Sequence, residues 1–69
     1  MHERLNNRLR EVRTGKGLTQ ADLADRAGVS RKTINTVENG VFVPSTILAL
    51  TLAKVLGVGV EDLFQLPDA

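Results

Sequence analysis

The sequence contains no cysteine and only one histidine, His2, next to its first residue. Without thiols the chain can form neither a disulfide nor a thiolate metal site, which favours a reducing compartment such as the cytoplasm. Without cysteine or a second histidine, nucleophilic and metal-dependent catalysis have few residues to use. We therefore expect no enzyme activity, no metal and no cofactor, and we expect helix packing to stabilise the fold.

The sequence also lacks a hydrophobic run long enough to cross a membrane. Residues 41–60 have Lys54 as their only charge, but Pro44 interrupts the beginning of this stretch and Gly57 its end. The remaining apolar segment of about a dozen residues is shorter than the roughly 20 that a span needs. The first seven residues are mostly polar and lack the apolar segment of a signal peptide. These absences predict a cytoplasmic protein.

Charge is distributed unevenly along the chain, although the net charge is only +1. Residues 1–40 contain eight of the nine lysines and arginines together with five acids, a net charge of +3, whereas residues 41–69 have a net charge of −2. A basic N-terminal part can approach phosphates while a charge-poor part packs elsewhere. The length of 69 residues predicts one small domain over 1–69, and Met1 with the early end after Pro67 indicates a complete small protein.

Apolar spacing and capping residues predict three helices in the first forty residues. Over residues 4–16, apolar side chains recur every three or four positions on one helix face, and glycines follow. Thr19 is a suitable N-cap for a second helix that ends at Gly28. Ser30 can cap a third helix, which ends at Asn39 and Gly40. Two short helices separated by such a short glycine-containing turn fit a helix-turn-helix unit.

The C-terminal part predicts two further helices, and no strand pattern is found anywhere. Ser45 can cap a fourth helix that Gly57 ends, and this helix is apolar nearly all round, so we expect it to be buried centrally. A short helical turn follows over residues 60–64. Gly59, at the cap position of this turn, has no side chain to accept a hydrogen bond, which predicts a loose turn.

The outward face of the third helix has the residue types that contact DNA bases. Ile34 and Val37 point to one side of the helix, at about 100° per residue. The opposite side contains Arg31, Lys32, Asn35, Thr36 and Asn39. Arginine and lysine donate to guanine, asparagine pairs with adenine, and a threonine methyl can contact a thymine methyl. The face indicates DNA binding, and the alternative is a solvated surface stripe.

Several motifs resemble the XRE-like, Cro and cI phage-repressor family. They are residues 17–24 (GLTQADLA), 28–30 (GVS), 37–40 (VENG), 52–58 (LAKVLGV) and 61–64 (EDLF). The resemblance covers residues 4–66 and implies an all-α, compact five-helix lambda-repressor-like domain with a helix-turn-helix unit at about residues 19–39. It implies a second helix across the DNA backbone and a third in the major groove. It further implies a sequence-specific transcriptional regulator of repressor type, which binds an inverted-repeat operator in double-stranded DNA as a homodimer.

The resemblance also assigns roles to single residues. Base reading is expected of Arg31, Lys32, Thr33, Asn35 and Thr36. Phosphate contacts are expected of Thr19, Gln20, Ser30 and Asn39. Arg13 and Glu38 are expected to form a structural ion pair at the edge of the core, and exposure of both at the surface is the alternative. The loop after Gly40 lacks the lysine or arginine that family members often place against phosphate.

The C-terminal part contains more apolar residues than a small core readily hides. They are Val41, Phe42, Val43, Val58, Val60, Phe64 and Leu66. Exposed apolar clusters usually mark association surfaces, and the resemblance places dimer contacts around the last helices. These residues therefore predict a homodimer interface. The alternative is that Phe42 and Phe64 fold back to cover the core of a monomer.

Two other function classes stay open at this point. One is an antitoxin or protein-interaction module in which DNA binding is secondary. The other is the DNA-binding part of an effector-responsive regulator. No small-molecule site is indicated, because paired acids such as Asp22 and Asp25 are explained by helix starts and solvated faces.

Overall fold

The computed structural model describes residues 5–67, which form five helices and one pair of very short strands. In chain order the elements are β1 (Asn6–Asn7), α1 (Leu9–Gly15), α2 (Gln20–Ala27), α3 (Arg31–Glu38), α4 (Thr46–Leu56), α5 (Val60–Leu63) and β2 (Phe64–Gln65). All five predicted helical segments are therefore present. His2 lies outside the described residues.

The N-terminal segment differs from the prediction, because it is extended and α1 begins at Leu9 rather than near residue 4. β1 pairs antiparallel with β2, with Asn7 opposite Phe64, so the expectation of no strand was wrong. The reason lies in the side chain of Asn7. Its Oδ1 accepts a hydrogen bond from the N–H of Leu9 (3.0 Å) and its Nδ2 donates to the carbonyl of Val37 (2.6 Å). An asparagine bound to nearby backbone competes with helix formation, and the helix starts after it.

Local signals fix where α2 begins and ends and where α3 begins. Thr19 Oγ1 accepts a hydrogen bond from the N–H of Asp22 while Asp22 Oδ2 accepts one from the N–H of Thr19, both at 3.0 Å. Gly28 ends α2 with φ +73°, a left-handed conformation that glycine adopts at little cost. Ser30 Oγ then accepts from the N–H of Thr33 (3.1 Å) and caps α3. Only Val29 and Ser30 thus lie between Gly28, which ends α2, and Arg31, which begins α3. This spacing fixes the turn between the two helices.

The core lies between the helices and contains aliphatic side chains from all five. Its members are Leu9, Leu23, Ala24, Ile34, Val37, Leu52, Ala53, Leu56 and Leu63. α2 packs against both α3 and α4, α1 packs against α3, and α5 packs against α4. Burial of each large aliphatic side chain contributes about 1.5 to 3 kcal/mol. The central position of α2 fixes the orientation of α3 relative to the rest of the domain.

α4 is not buried on all sides, which corrects the prediction made from its composition. Leu52, Ala53 and Leu56 are buried, but Ile47 is 79% exposed and Leu50 is 54% exposed. The reason is that α4 packs on one side only, against α2 and α5. Within residues 5–67, no further helix or strand covers the opposite side. Over residues 5–67, no helix combines the length and the apolar character needed to cross a bilayer.

The short helix α5 is anchored despite the glycine before it. Asp62 Oδ2 accepts a hydrogen bond from the N–H of Gly59 (2.9 Å), and the N–H of Asp62 donates to the carbonyl of Gly59 (3.0 Å). Leu63 is fully buried, and its carbonyl accepts from the N–H of Arg8 (2.8 Å). The turn that was predicted to be loose is therefore tied both to its own start and to the N-terminal segment.

Candidate nucleic-acid interface

The outward face of α3 separates into exposed residues and residues whose hydroxyls are used locally. Of the five predicted base-reading residues, three are exposed: Arg31, Lys32 and Asn35. Thr33 and Thr36 are half-buried. Thr33 Oγ1 lies 2.9 Å from Ser30 Oγ, and Thr36 Oγ1 donates to the carbonyl of Thr33 (3.0 Å). The side chains free to extend toward a ligand are therefore the two cations and Asn35.

The start of α2 lies beside this face and continues it. One shallow depression is lined by Gln20, Arg31, Lys32 and Asn35. A second depression includes Thr19, Gln20 and Arg31, so Arg31 borders both. The first N–H groups of a helix carry partial positive charge and favour phosphate. Together these five residues, Thr19, Gln20, Arg31, Lys32 and Asn35, form what we call the α2–α3 surface.

A buried carboxylate, Glu38, lies directly behind the α2–α3 surface. Its side chain is fully buried, and its Oε2 accepts a hydrogen bond from Arg13 Nε (2.6 Å). Oε1 accepts from Arg13 Nη2 (3.2 Å), Gln20 Nε2 (3.0 Å) and Arg10 Nε (3.3 Å). The side chain of Arg13 is only 10% exposed, and its Nη1 donates to the carbonyl of Leu18 (2.7 Å). Arg13 and Glu38 are thus paired and buried, which excludes the surface-exposed alternative.

Two opposing effects determine the charge of Glu38. Burial raises its pKa, but hydrogen bonds from Arg13, Gln20 and Arg10 lower it further than burial raises it, so its pKa lies below the ordinary value of 4.5. Glu38 is therefore ionised at neutral pH, with two guanidinium groups against it. Because Glu38 is the only acid in α3, this helix presents no negative charge to the solvent.

Hydrogen bonds continue from Glu38 along the edge of α3. Gln20 Nε2 also donates to Asn35 Oδ1 (3.2 Å), as does Asn39 Nδ2 (3.2 Å). Arg10 Nη2 donates to Asn39 Oδ1 (2.8 Å). We call this set the Glu38 network, and its members are Arg10, Arg13, Gln20, Asn35, Glu38 and Asn39. It joins α1, α2 and α3 and so fixes the three helices relative to one another.

Sequence reasoning missed the role of Arg10 and the internal bonds of Gln20 and Asn39. Arg10 precedes Arg13 by three positions, which places both on one face of α1 and could have indicated a shared partner. Both N–H groups of the Gln20 amide are used inside the Glu38 network. A phosphate contact from this side chain requires one of those bonds to break, whereas Asn39 uses one N–H of its amide and retains the other. Thr19 and Ser30 use their hydroxyls as helix caps.

The residues that were predicted to form the dimer interface separate into two groups. Val58, Val60 and Phe64 are partly buried and pack against the core. Phe64 therefore covers the core of its own chain, as in the alternative to the dimer interface. The remaining four, Val41, Phe42, Val43 and Leu66, are exposed, with Phe42 at 46%. Residues 41–43 form an exposed loop cluster. Two further exposed apolar residues, Ile47 and Leu50 on α4, were not predicted from the sequence, and we call them the helix cluster.

A family model described as helix-turn-helix matches residues 9–63. The chain belongs to this helix-turn-helix family. An HTH-type transcriptional regulator of Methanocaldococcus jannaschii is 45% identical over 64 residues, which cover 93% of this chain and 97% of that relative.

Solved structures agree with the family assignment. The restriction-modification controller protein C.AhdI from Aeromonas hydrophila superposes with a TM-score of 0.77 and is 40% identical, covering 80% of this chain and 83% of that one. SinR, a master regulator for biofilm formation that was crystallised in complex with DNA, superposes with a TM-score of 0.74 and is 29% identical, covering 78% and 87%. These similarities confirm the predicted fold class and the resemblance to XRE-like, Cro and cI proteins.

Family membership also decides the class of function. The family consists of DNA-binding transcriptional regulators, so this helix-turn-helix protein is a DNA-binding regulator and not an enzyme. Over the described part of the chain, no group of three or more histidine, cysteine, aspartate or glutamate side chains could hold a metal ion.

Proposed function

We propose that this helix-turn-helix protein is a repressor-type regulator that binds an inverted-repeat operator as a homodimer, with α3 of each protomer in the major groove. One observation carries the proposal. Arg31, Lys32 and Asn35 are exposed along α3, while the only acid of that helix is buried beneath two arginines. A face of this kind attracts DNA and offers hydrogen-bond donors to base edges.

On the α2–α3 surface, α3 is suited to contacts with bases and α2 to contacts with phosphates. Lys32 and Arg31 extend from the first turn of α3, where side chains of a recognition helix reach base edges. The N-terminus of α2, at Thr19 and Gln20, is suited to phosphate through its backbone N–H groups. Phosphate contacts position the domain and base contacts select the sequence. Because the Glu38 network fixes α2 against α3, both kinds of contact are made from one rigid body.

The size of the domain supports a dimer. A single module of this type covers about 600 to 1,000 Å² on DNA, which limits the selectivity of one copy. Two copies related by a two-fold axis read half-sites about one helical turn apart. The exposed loop cluster offers an apolar surface for this association. We also propose that the protein acts in the cytoplasm, where it has access to operator DNA.

Replacing Lys32 by alanine tests the base-reading role. We expect affinity for a selected operator to fall by about 1 to 3 kcal/mol, because the lysine can donate to guanine acceptors. Affinity for a scrambled duplex should change much less. The measurement is a binding titration of each variant on both duplexes, after the operator has been selected from random DNA.

The matched control for this experiment is Lys54→Ala. Lys54 is also an exposed lysine, but it lies in the last turn of α4 and lines neither depression of the α2–α3 surface. The control should leave both affinities near those of the wild type. Equal losses on operator and scrambled duplex for Lys32→Ala would remove this residue from the base-reading set.

Replacing Phe42 by aspartate tests the dimer. We expect the protein to sediment as a dimer at micromolar concentration and Phe42→Asp to sediment as a monomer, because a charge in an apolar interface is costly. Helical circular dichroism should be unchanged, since Phe42 is 46% exposed and does not belong to the core.

The comparison variant is Ile47→Asp in the helix cluster, where the side chain is 79% exposed. If Ile47→Asp dissociates the dimer and Phe42→Asp does not, the dimer interface lies on α4 and not at the loop cluster. A wild-type protein that sediments as a monomer at all concentrations, both free and on operator DNA, contradicts the dimer.

A further inference from the structure

The amide of Asn35 is oriented from one side by a carboxylate. Gln20 Nε2 donates to Glu38 Oε1 (3.0 Å) and to Asn35 Oδ1 (3.2 Å). An ionised carboxylate only accepts hydrogen bonds, so the atom of Gln20 that faces Glu38 must be its nitrogen. The atom of Asn35 that faces this nitrogen must then be an acceptor, which is Oδ1. The buried charge of Glu38 therefore determines which end of the Asn35 amide points inward.

A guanidinium group sets the same orientation from the other side. Arg10 Nη2 donates to Asn39 Oδ1 (2.8 Å), and an arginine can only donate. The oxygen of Asn39 is therefore toward Arg10, and its nitrogen is toward Asn35, where Nδ2 donates to Oδ1 (3.2 Å). The hydrogen bonds that run from Glu38 through Gln20 and those that run from Arg10 through Asn39 therefore give the same orientation of the Asn35 amide.

These bonds leave Asn35 with donors only. A carbonyl oxygen has two lone pairs, and both lone pairs of Asn35 Oδ1 are occupied by Gln20 and Asn39. Asn35 Nδ2 takes part in none of the hydrogen bonds formed within residues 5–67. The side chain is exposed in the depression that Arg31 and Lys32 also line. The free end of the amide is therefore exposed on the same surface as the two cations.

We propose that Asn35 selects a G·C pair by donating from Nδ2 alone, and does not form the paired contact with adenine that asparagine commonly makes. This inference rests on the proposed function, because it specifies what the α3 face reads. The adenine contact needs a donor for N7 and an acceptor for the N6 amino group, and the acceptor of Asn35 is already occupied. Guanine presents N7 and O6, two adjacent acceptors that an amide NH₂ group satisfies.

The first test is selection of bound fragments from random duplex DNA with the wild-type chain and with Asn35→Ala. The expected result is that one G·C position per half-site loses its preference in the variant, by roughly tenfold in discrimination. Loss of preference at an A·T position, or at no position, overturns the assignment. Failure of the wild type to enrich any motif overturns the proposed function itself, and the role of Asn35 with it.

The second test removes one of the internal donors. Asn39→Ala vacates one lone pair of Asn35 Oδ1 and leaves every hydrogen bond of Glu38 in place. Asn35 Oδ1 is then held by Gln20 alone, through a bond of 3.2 Å, so the amide can turn and offer its oxygen to the N6 amino group of adenine. The preference for G·C at the position that Asn35 reads should therefore narrow by several-fold, whatever the change in total affinity. An unchanged preference overturns the proposal. Circular dichroism of the variant checks that α3 is still formed.

A base analogue tests the same contact from the DNA side. Replacing the selected guanine by 7-deazaguanine removes the N7 acceptor and should weaken binding of the wild type several-fold. Asn35→Ala should bind the normal and the modified duplex equally at that position. Equal binding of the two duplexes by the wild type contradicts donation from Asn35 to guanine N7.

Discussion

Arg13→Met is expected to lower the free energy of unfolding by about 3 to 5 kcal/mol, because it leaves the buried Glu38 carboxylate without its main partner. Methionine retains much of the apolar volume of the arginine side chain, so the loss reports the missing hydrogen bonds rather than a cavity. Small domains have total stabilities of about 5 to 15 kcal/mol. The variant should therefore lose a large share of its stability, and partial unfolding at room temperature is expected if the wild type lies near the lower end of this range. Urea denaturation followed by circular dichroism measures the change.

Two companion variants make this result specific. Arg10 also donates to Glu38, but its side chain is 56% exposed, so Arg10→Met should cost less than about 1 kcal/mol. The double variant Arg13→Met with Glu38→Leu removes both charges and should be more stable than Arg13→Met alone. The single variant Glu38→Leu completes the cycle. If the double variant loses as much stability as Arg13→Met and Glu38→Leu lose together, no coupling exists between Arg13 and Glu38.

Affinity for DNA is expected to fall about a thousandfold between 50 and 200 mM salt. This figure corresponds to a dimer that neutralises about six phosphates, three per protomer, and releases their condensed counterions. The cations expected to do so are Arg31 and other exposed basic residues of the first forty positions, which do not include the buried Arg13. The measurement is the slope of log K against log salt on the selected operator.

Arg31→Ala and Lys54→Ala form the matched pair for the salt experiment. Arg31 borders the N-terminus of α2, and its removal should reduce the slope by about one for each protomer. Lys54, on α4, should leave the slope unchanged. A flat dependence on salt for the wild type would favour the competing interpretation, a module whose main partner is a protein.

The boundaries around the turn were predictable from sequence because they depend on local chemistry. Thr19 and Ser30 cap helices through bonds to residues three positions away, and Gly28 adopts its left-handed conformation within the same turn. Such signals are readable in any short window of sequence. The candidate interface follows from them, since a cap and a helical period determine which residues share the outward face of α3.

The contacts of individual side chains were less predictable. Asn7 was expected to lie in a helix, but its side chain bonds the carbonyl of Val37, thirty positions away. The family resemblance implied phosphate contacts for Gln20 and Asn39, yet both side chains have partners inside the domain. Composition also overestimated the burial of α4, because the number of apolar residues does not indicate how many neighbours a helix has.

Local sequence signals were sufficient to predict the presence of five helices, the helix-turn-helix spacing and the donor-rich face of α3, because each depends on residues within about four positions of one another. Which polar groups on that face are free depends instead on contacts between residues far apart in the sequence. Arg13 and Glu38 are 25 positions apart and Arg10 and Glu38 are 28 apart, and folding brings all three together. Hydrogen bonding is directional and limited by the number of lone pairs and N–H groups. Which end of Asn35 faces the solvent was therefore decided by packing α1 and α2 against α3.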